Sequence, residues 1–324
     1  MISSLRSIAE VPRQMFHRGP MVLLYHRILD PDIDVRLLCV SPDRFDSQMK
    51  YIKEHYFVYS YKSFFEDLLR GEFRKRSVLV TIDDGYADNY AYAYRILKKY
   101  SLPAVMFITG DKQRNDESWI TKLEYYFYVV KKHPDKIYLN IGKKEYMLSM
   151  ESSDLRQASF LTVLELLKCR KSDAQRSILY QIGKQIGIKV KPRKFYRSLS
   201  KDEIREMYQS GLIEIGGHTV DHVKLSAFNY KGQTEEILGN IKYLGSIINK
   251  PIETFSYPYG GEKDFNDESI RIIKKYVKST FSNIPSKVHK KTDRFQIPRF
   301  LIRNWEIDKF KRKLAIYSML GFWI

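Results

Sequence analysis

The chain has 324 residues, enough for one large α/β domain or two ordinary ones, and its 44% hydrophobic content excludes a globally disordered protein. Its formal net charge of +18 at pH 7 indicates an acidic partner, but the basic residues are dispersed and no recognised nucleic-acid-binding motif occurs, so we expect no nucleic acid to bind. Two cysteines exclude a disulfide framework and a cysteine zinc site.

The N-terminal segment, residues 1–20, favours a short amphipathic helix over residues 2–16. It lacks the apolar core of a signal peptide, and no run of 18 apolar residues occurs in the sequence, so we expect a cytoplasmic protein. The segment 2–16 and the apolar tail Leu314–Ile324 either pack on the domain or make peripheral contact with an anionic membrane at its inner face.

From residue 21 onward, predicted strands alternate with predicted helices, which is typical of a mostly parallel sheet or barrel. The first block predicts the strand Met21–Tyr25, a helix capped by Ser41, the strand Ser77–Ile82, a helix over Tyr86–Tyr100 and the strand Pro103–Thr109. The last block predicts a helix ending at Gly211, the strand Leu212–Gly217, a helix over Thr234–Asn249, the strand Thr254–Ser256, a helix over Asp267–Val277 and the strand Phe295–Ile302.

Between these blocks, residues 116–192 have helical periodicity almost throughout. Apolar residues recur at helical spacing, and the stretch Lys136–Leu148 is typical of a hairpin with Gly142 near its turn. We interpret the stretch as a helical insertion in one catalytic domain that spans residues 21–324. It could serve as a lid over the substrate, a dimer surface or a membrane dock.

Three predicted strand ends carry groups able to do chemistry, and parallel α/β folds place functional groups at the carboxyl ends of strands. Asp83 and Asp84 follow the strand Ser77–Ile82, and His218 and His222 follow the strand Leu212–Gly217. The stretch Tyr257–Tyr259 follows the strand Thr254–Ser256.

The two histidines and one aspartate have the composition of a catalytic metal site. His218 and His222 would share one face of a helical turn, and a catalytic zinc takes three protein ligands. Asp84 or Asp83 is the natural third ligand, and the remaining carboxylate would then be free to accept a proton from the attacking water. The alternatives are two unrelated surface histidines, and an Asx turn or helix cap at the aspartates.

The stretches "VTIDDGYADNY", "GGHTVDH" and "FSYPYGG" resemble the first three motifs of the polysaccharide deacetylases (carbohydrate esterase family four, the NodB homology fold). The resemblance covers about Met21–Asp111 and Arg197–Lys311, and is closest to the branch that includes poly-N-acetylglucosamine deacetylases. It implies a deformed (β/α)7 barrel, interrupted here by the mostly helical insertion. It also implies a divalent cation, zinc by preference, with Co2+, Ni2+ or Mn2+ as alternatives.

Carried over residue by residue, the resemblance implies that Asp83 is the general base and that Asp84, His218 and His222 hold the metal. It further implies that the backbone N–H of Tyr259 helps to bind the oxyanion.

Two parts of the family pattern are missing from their usual places. The third motif normally begins with an arginine that orients the base, and Phe255 or Ser256 stands there instead. Arg299, in a late strand, either reaches the same spot or pairs with a surface acid. The late histidine that supplies the general acid is also absent; His26, at the end of the first strand, either replaces it, as the poly-N-acetylglucosamine branch implies, or is a core histidine bonded to a backbone carbonyl.

The resemblance therefore implies a metal-dependent hydrolase that removes N-acetyl groups from an amino sugar. The partner would be a carbohydrate bearing N-acetyl groups, in a polysaccharide, an oligosaccharide or a lipid-linked glycan precursor of the cell envelope. The alternatives are an N-deformylase or an O-deacetylase on a related sugar and, in another class, a catalytically inactive glycan- or membrane-binding protein.

Overall fold

The computed structural model describes residues 19–110 and 116–319. The predicted amphipathic helix over residues 2–16 and the end of the apolar tail, residues 320–324, lie outside the described residues. None of the helices in the described ranges is long and apolar enough to cross a membrane.

Short strands alternate with helices along the described chain. The strands are β1 (Met21–Tyr25), β2 (Arg27–Ile28), β3 (Cys39–Val40), β4 (Phe57–Val58), β5 (Ser77–Ile82), β6 (Ala104–Ile108), β7 (Lys136–Ile141), β8 (Lys144–Ser149), β9 (Ile213–Gly217), β10 (Thr254–Ser256), β11 (Ser279–Phe281) and β12 (Phe300–Leu301). The helices are α1 (Pro42–His55), α2 (Tyr61–Arg70), α3 (Arg95–Tyr100), α4 (Trp119–Glu124), α5 (Ser153–Lys168), α6 (Ser172–Ile186), α7 (Lys201–Gln209), α8 (Tyr230–Ile248), α9 (Asp267–Ile273) and α10 (Ile307–Met319). Two π-helical segments, Asn89–Tyr94 and Tyr125–Val129, extend α3 and α4.

A curled parallel sheet in the order β11-β10-β9-β6-β5-β1-β12, with β4 also paired to β5, forms the centre of the molecule. Its strands are continuous apolar runs, and all six residues of β5 are buried, as expected for strands covered on both faces. Ile297 bridges Phe281 of β11, and Phe300 pairs with Leu23 of β1. The segment 297–300 therefore closes the gap between the two end strands, and the predicted deformed (β/α) barrel is confirmed.

Several predicted boundaries were wrong. The predicted strand Phe295–Ile302 is paired as a strand only at Phe300–Leu301, and Pro298 within it has no N–H to donate to a ladder. The predicted helix Thr234–Asn249 begins at Tyr230, because the Asn229 side chain accepts a hydrogen bond from the N–H of Gly232.

The helix predicted at 86–100 is confirmed over residues 87–100, whereas the helix predicted at 267–277 is shorter than expected. The Asn89 side-chain oxygen accepts the N–H of Tyr86, just before the first helical residue, at 3.1 Å, and the Asn89 amide donates to the His26 carbonyl at 2.8 Å. These bonds tie the start of the helix to the end of β1. The second helix ends at Ile273.

Residues 116–192 fold around a hydrophobic cluster of their own, separate from the cluster between the central sheet and its surrounding helices. They contain α4, the β7–β8 hairpin, α5 and α6. The hairpin turns at Gly142, whose φ of +62° is left-handed. Below, these residues are called the insertion.

Candidate active site

Neighbouring strand ends of the sheet bring the predicted functional groups together. Asp83 and Asp84 follow β5, His218 follows β9, and Ser256 is the last residue of β10. Because parallel strands end at the same edge of a sheet, residues far apart in sequence meet there. Gly85 permits the turn behind the aspartates: its φ is +77°, and a Cβ there would lie 2.7 Å from Ile108.

Asp84, His218 and His222 form a cluster with the geometry of a metal site. The Asp84 Oδ1 atom lies 3.4 Å from Nε2 of His218 and 3.2 Å from Nε2 of His222, and it is buried without a hydrogen bond within the described residues. Zinc–ligand bonds of about 2.0–2.2 Å at tetrahedral angles would separate donor atoms by about 3.4 Å. The three side chains therefore fit a single divalent cation.

Both histidines are suited to bind a metal at this cluster. Nδ1 of His218 lies 2.7 Å from the Ser256 carbonyl oxygen, which can only accept, so Nδ1 carries the proton and Nε2 is free to bind a metal. Burial lowers the pKa of His222, although Asp84 partly opposes this shift. A neutral imidazole is the form that a metal requires.

The loop that carries the histidines is not the helical turn that the spacing predicted. Thr219 and His222 have left-handed φ values of 59° and 51°, which break the helical path between the two rings. Helix α8 holds the loop instead: Glu236 accepts the N–H groups of Val220 and Asp221 at 3.1 and 2.9 Å. The ring centroids nevertheless lie 5.0 Å apart, so both imidazoles reach the cluster.

Helix α8 also positions His218, through Asn240. The Asn240 side chain is buried; it accepts the N–H of His218 at 2.9 Å and donates to the Ile108 carbonyl at 3.0 Å. Asn240 thus joins the ends of β6 and β9 beneath the metal cluster.

Arg299 pairs with Asp83 and not with a surface acid. Its guanidinium forks onto both carboxylate oxygens of Asp83 at 2.7 and 2.8 Å, with only 1% of Arg299 exposed. The same group donates to the Ser256 hydroxyl at 2.7 Å and to the Ser282 carbonyl at 2.8 Å. Ser256, at the third motif, thus contacts both partners, and the arginine lies on the segment that closes the barrel between β11 and β1.

Both aspartates are held as carboxylates. Burial opposes their charge and would raise each pKa, but the Arg299 guanidinium outweighs it at Asp83, and the pKa lies below its usual value. At Asp84, interactions with His222 and His218 outweigh burial, and the pKa lies well below its usual value. An ionised Asp84 suits a cation, and an ionised Asp83 suits a proton acceptor.

Comparison with known proteins bears on this site. A family model described as polysaccharide deacetylase matches residues 70–137 and 141–280. The chain belongs to the polysaccharide deacetylase family.

Relatives of known name and structure agree with this membership. A poly-beta-1,6-N-acetyl-D-glucosamine N-deacetylase of Staphylococcus aureus (strain MRSA252) is 26% identical over 280 residues, which cover 83% of this chain and 69% of that protein. The Streptococcus pyogenes deacetylase PplD, solved in complex with acetate, superposes with a TM-score of 0.60 at 19% identity, covering 93% of this chain and 98% of that one. IcaB from Ammonifex degensii gives a TM-score of 0.56 at 19% identity, covering 93% and 97%. Both structures share the deacetylase fold.

His26 lines the same cleft as the metal cluster of this deacetylase. Within the described residues neither ring nitrogen of His26 has a hydrogen-bond partner, and Nδ1 is buried. The alternative of a core histidine predicted a bond from the ring to a backbone carbonyl, and no such bond is made within the described residues. Burial lowers the pKa of His26 to about 4, so the ring is neutral at pH 7.

Tyr259 lines the cleft beside His222. Its φ of 62° is left-handed, and among the described residues its N–H has no hydrogen-bond partner. Its hydroxyl donates to the His222 carbonyl at 3.0 Å, so the side chain supports the loop of a metal ligand, a contact that the sequence did not predict. With Asp84, Thr219 and His222, it is one of four non-glycine residues at this site with positive φ, a concentration typical of functional sites.

The other wall of the cleft consists of residues that the sequence analysis did not single out. Arg36 comes from the loop after β2, and the insertion contributes Ile120, Leu164 and Lys168. The Lys168 ammonium lies 4.6 Å from the centroid of the Tyr259 ring. None of these residues follows a strand of the central sheet, so no rule about strand ends could have found them.

Proposed function

We propose that this protein is a metal-dependent N-deacetylase that acts on N-acetylated amino sugars of a polysaccharide, an oligosaccharide or a glycan precursor. One observation carries the proposal: the cluster of Asp84, His218 and His222 lies beside an ionised Asp83 that Arg299 holds in place. Family membership supports deacetylation. The name of the Staphylococcus aureus relative supports poly-N-acetylglucosamine as the substrate class.

Each residue of the site has a separate role in the proposed reaction. A divalent cation, zinc by preference, would act as a Lewis acid on the acetyl carbonyl when bound by the cluster. Asp83 accepts a proton from the attacking water, and Arg299 fixes the orientation of that carboxylate. The N–H of Tyr259 donates a hydrogen bond to the developing oxyanion.

His26 delivers a proton to the nitrogen of the breaking C–N bond. Because its ring is neutral at rest, it must first receive a proton during the reaction: the single proton that Asp83 takes from the attacking water passes on to His26, which leaves Asp83 ionised again. The water oxygen forms the new C–O bond, the C–N bond breaks, and the nitrogen leaves as an amine with the proton that began on water. Acetic acid and a free amino sugar result.

Acetate release from N-acetylglucosamine oligomers tests the proposal. We expect the purified protein to bind about one equivalent of zinc, to lose activity on chelation and to recover it on addition of Zn2+. Activity that survives complete metal removal would contradict metal dependence.

A substrate panel separates the alternatives. Faster release of formate from N-formyl sugars, or of acetate from O-acetyl sugars, would replace N-deacetylation with one of those activities. No release from any substrate, with less than about half an equivalent of metal bound, would favour the inactive binding protein. The cytoplasmic location and the membrane contact stay predictions.

A further inference from the structure

A second groove lies between the loop at residues 32–35 and the insertion. We call it the tyrosine groove; its main lining residues are Asp32, Glu124, Tyr125, Tyr128, Arg193 and Tyr196. Neither the deacetylase motifs nor the proposed mechanism uses any of them.

The tyrosine groove continues the catalytic cleft along both of its walls. On one wall, Ile120 lines the cleft, and Glu124 and Tyr128 line the groove at successive turns of the same helical face, so the wall runs roughly 10 Å away from the metal cluster. On the other wall, Arg36 lines the cleft and the residues just before it line the groove. An ion pair of 2.5 Å between Arg36 and Glu124 marks the border.

The tyrosine hydroxyls of the groove lack partners within the described protein, whereas Glu124 and Arg193 are already ion-paired, with Arg36 and Glu117. The hydroxyls of Tyr125, Tyr128 and Tyr196 make no hydrogen bond within the described residues, although all three side chains are half-buried. Three such hydroxyls, on residues that line one concave surface, can donate to and accept from a ligand rich in hydroxyls. The adjacent Glu124 carboxylate and Arg193 guanidinium add an acceptor and a donor.

The aromatic rings are held in place before any ligand arrives. The Arg193 guanidinium lies 3.6 Å from the centroid of the Tyr196 ring and 5.0 Å from that of Tyr125. Glu117, which is 2% exposed, anchors Arg193 through an ion pair of 2.7 Å and accepts its backbone N–H at 2.8 Å. Pre-organised rings lose little entropy on binding, which favours affinity.

The hydroxyl rim of a pyranose ring matches the three tyrosine hydroxyls, and its apolar C–H face can lie against the Tyr128 ring. The guanidinium groups of Arg193 and Arg27 lie 3.6 and 4.2 Å from the centroid of the Tyr196 ring, so Tyr196 contributes its hydroxyl and not a free ring face. Resting on the proposed function, we propose that the tyrosine groove binds a second sugar residue of the substrate, next to the one being deacetylated. The insertion is then part of the catalytic domain, and the enzyme acts preferentially on oligomers and polymers.

The test measures how the tyrosines affect substrates of different length. The substrates are β-1,6-linked N-acetylglucosamine oligomers of one to five residues, with β-1,4-linked oligomers as a second series. We expect wild-type kcat/KM to rise from monomer to oligomer. Tyr128→Ala and Tyr196→Ala should lower kcat/KM about tenfold on the pentamer and leave the monomer value unchanged.

Two further variants separate binding from folding. Tyr180, also in the insertion, is 70% exposed and lies outside the groove, so Tyr180→Ala should match wild type on every substrate. Tyr128→Phe keeps the packing on Phe160, whose ring lies 5.1 Å away, and removes only the hydroxyl, so a smaller loss on the pentamer is expected. Equal losses on monomer and pentamer, or no loss on either, would overturn the proposal.

A binding measurement makes this result independent of turnover. With Asp83→Asn as the background, calorimetry should show that pentamer affinity falls about tenfold when Tyr128→Ala is added. If the pentamer binds this background equally well with and without Tyr128, the proposal that the tyrosine groove binds sugar is wrong. Absence of acetate release from every substrate would contradict the proposed function, while the calorimetry would still decide whether the groove binds the oligomer.

Discussion

The two walls of the catalytic cleft are built by different rules. On the barrel wall, two functional groups are tied to buried partners: Asp83 to Arg299, and His218 to both Ser256 and Asn240. On the insertion wall, Ile120 and Leu164 contribute apolar surface. The barrel wall therefore places reactive atoms, whereas the insertion wall shapes the space that a substrate fills.

Asp221, in the metal-ligand loop, joins the two walls, and the N–H of Lys224 also donates to the Lys168 carbonyl at 2.9 Å. The carbonyl of Asp221 accepts from Trp119 at 3.2 Å and from Gln175 at 3.3 Å, and its carboxylate accepts the N–H of Ser172 at 3.0 Å. Because Asp221 precedes His222, the insertion is fastened directly beside a metal ligand. A change in the insertion can therefore alter substrate range without rebuilding the barrel edge, provided that this contact survives.

The largest effect is expected from removing the base on the barrel wall. Asp83→Asn should lower kcat by about 10²–10⁴-fold, the usual contribution of a general base, on monomer and oligomer alike. Asp202→Asn, at a side chain that is 91% exposed, is the matched control. Acetate release measures activity, and bound zinc with cooperative unfolding shows that the fold is retained. More than a tenth of wild-type activity in Asp83→Asn would contradict the assignment.

Next in size is a change inside the insertion. Phe160 is 2% exposed in the core of the insertion, and Phe160→Ala should destabilise that region by about 3–5 kcal/mol. Hydrogen exchange should accelerate in residues 116–192 and stay slow in β5 and β6, because the two cores are separate. Leu161→Ala, at a neighbouring side chain that is 50% exposed, should change little. Equal acceleration in the sheet would show that both walls unfold as one unit.

A smaller effect is expected at the helix that holds the metal ligands. Asn240→Ala removes the acceptor for the N–H of His218, and losing such a supporting contact typically weakens metal binding about 10–100-fold. Competition with a zinc-binding dye measures the affinity without reference to activity. Lys242→Ala, exposed on the same helix, is the control. An unchanged zinc affinity would show that the loop holds its shape without Asn240.

The smallest effect is expected where the chain returns from the insertion to the barrel. Burial would raise the pKa of Glu203, but the Arg197 guanidinium outweighs it and lowers the pKa. A lowered pKa stabilises the fold above the unfolded value of about 4.3, and the contribution disappears as pH falls through the folded value. Glu203→Gln should therefore cost about 1 kcal/mol at pH 7 and progressively less as the pH falls through the folded value, as measured by urea unfolding. A cost that does not shrink with falling pH would exclude this charge pair as its cause.

Much of the barrel wall follows from local sequence. Apolar runs of five or six residues with polar residues directly behind them predict buried parallel strands with functional groups at their ends. Asp83, Asp84 and His218 all lie at ends found in this way. Local patterns did not predict the hydrogen bond that Asn229 accepts, which moved the start of α8. They also did not predict the bond that Asn240 accepts or the left-handed residues 219 and 222, which shape the histidine loop, because such contacts and backbone strain depend on distant parts of the fold.

The sequence by itself determined which strand ends carry the carboxylates and imidazoles, since strand burial and motif spacing are properties of short stretches. Only the tertiary structure decided that Arg299 is the partner of Asp83, because closing the barrel brings together side chains that are 216 positions apart. It also decided that the insertion forms the second wall of the cleft. The apolar faces of its helices pack on one another in a separate core. Their periodicity therefore predicts this core, but it does not predict which surface of the barrel the insertion contacts.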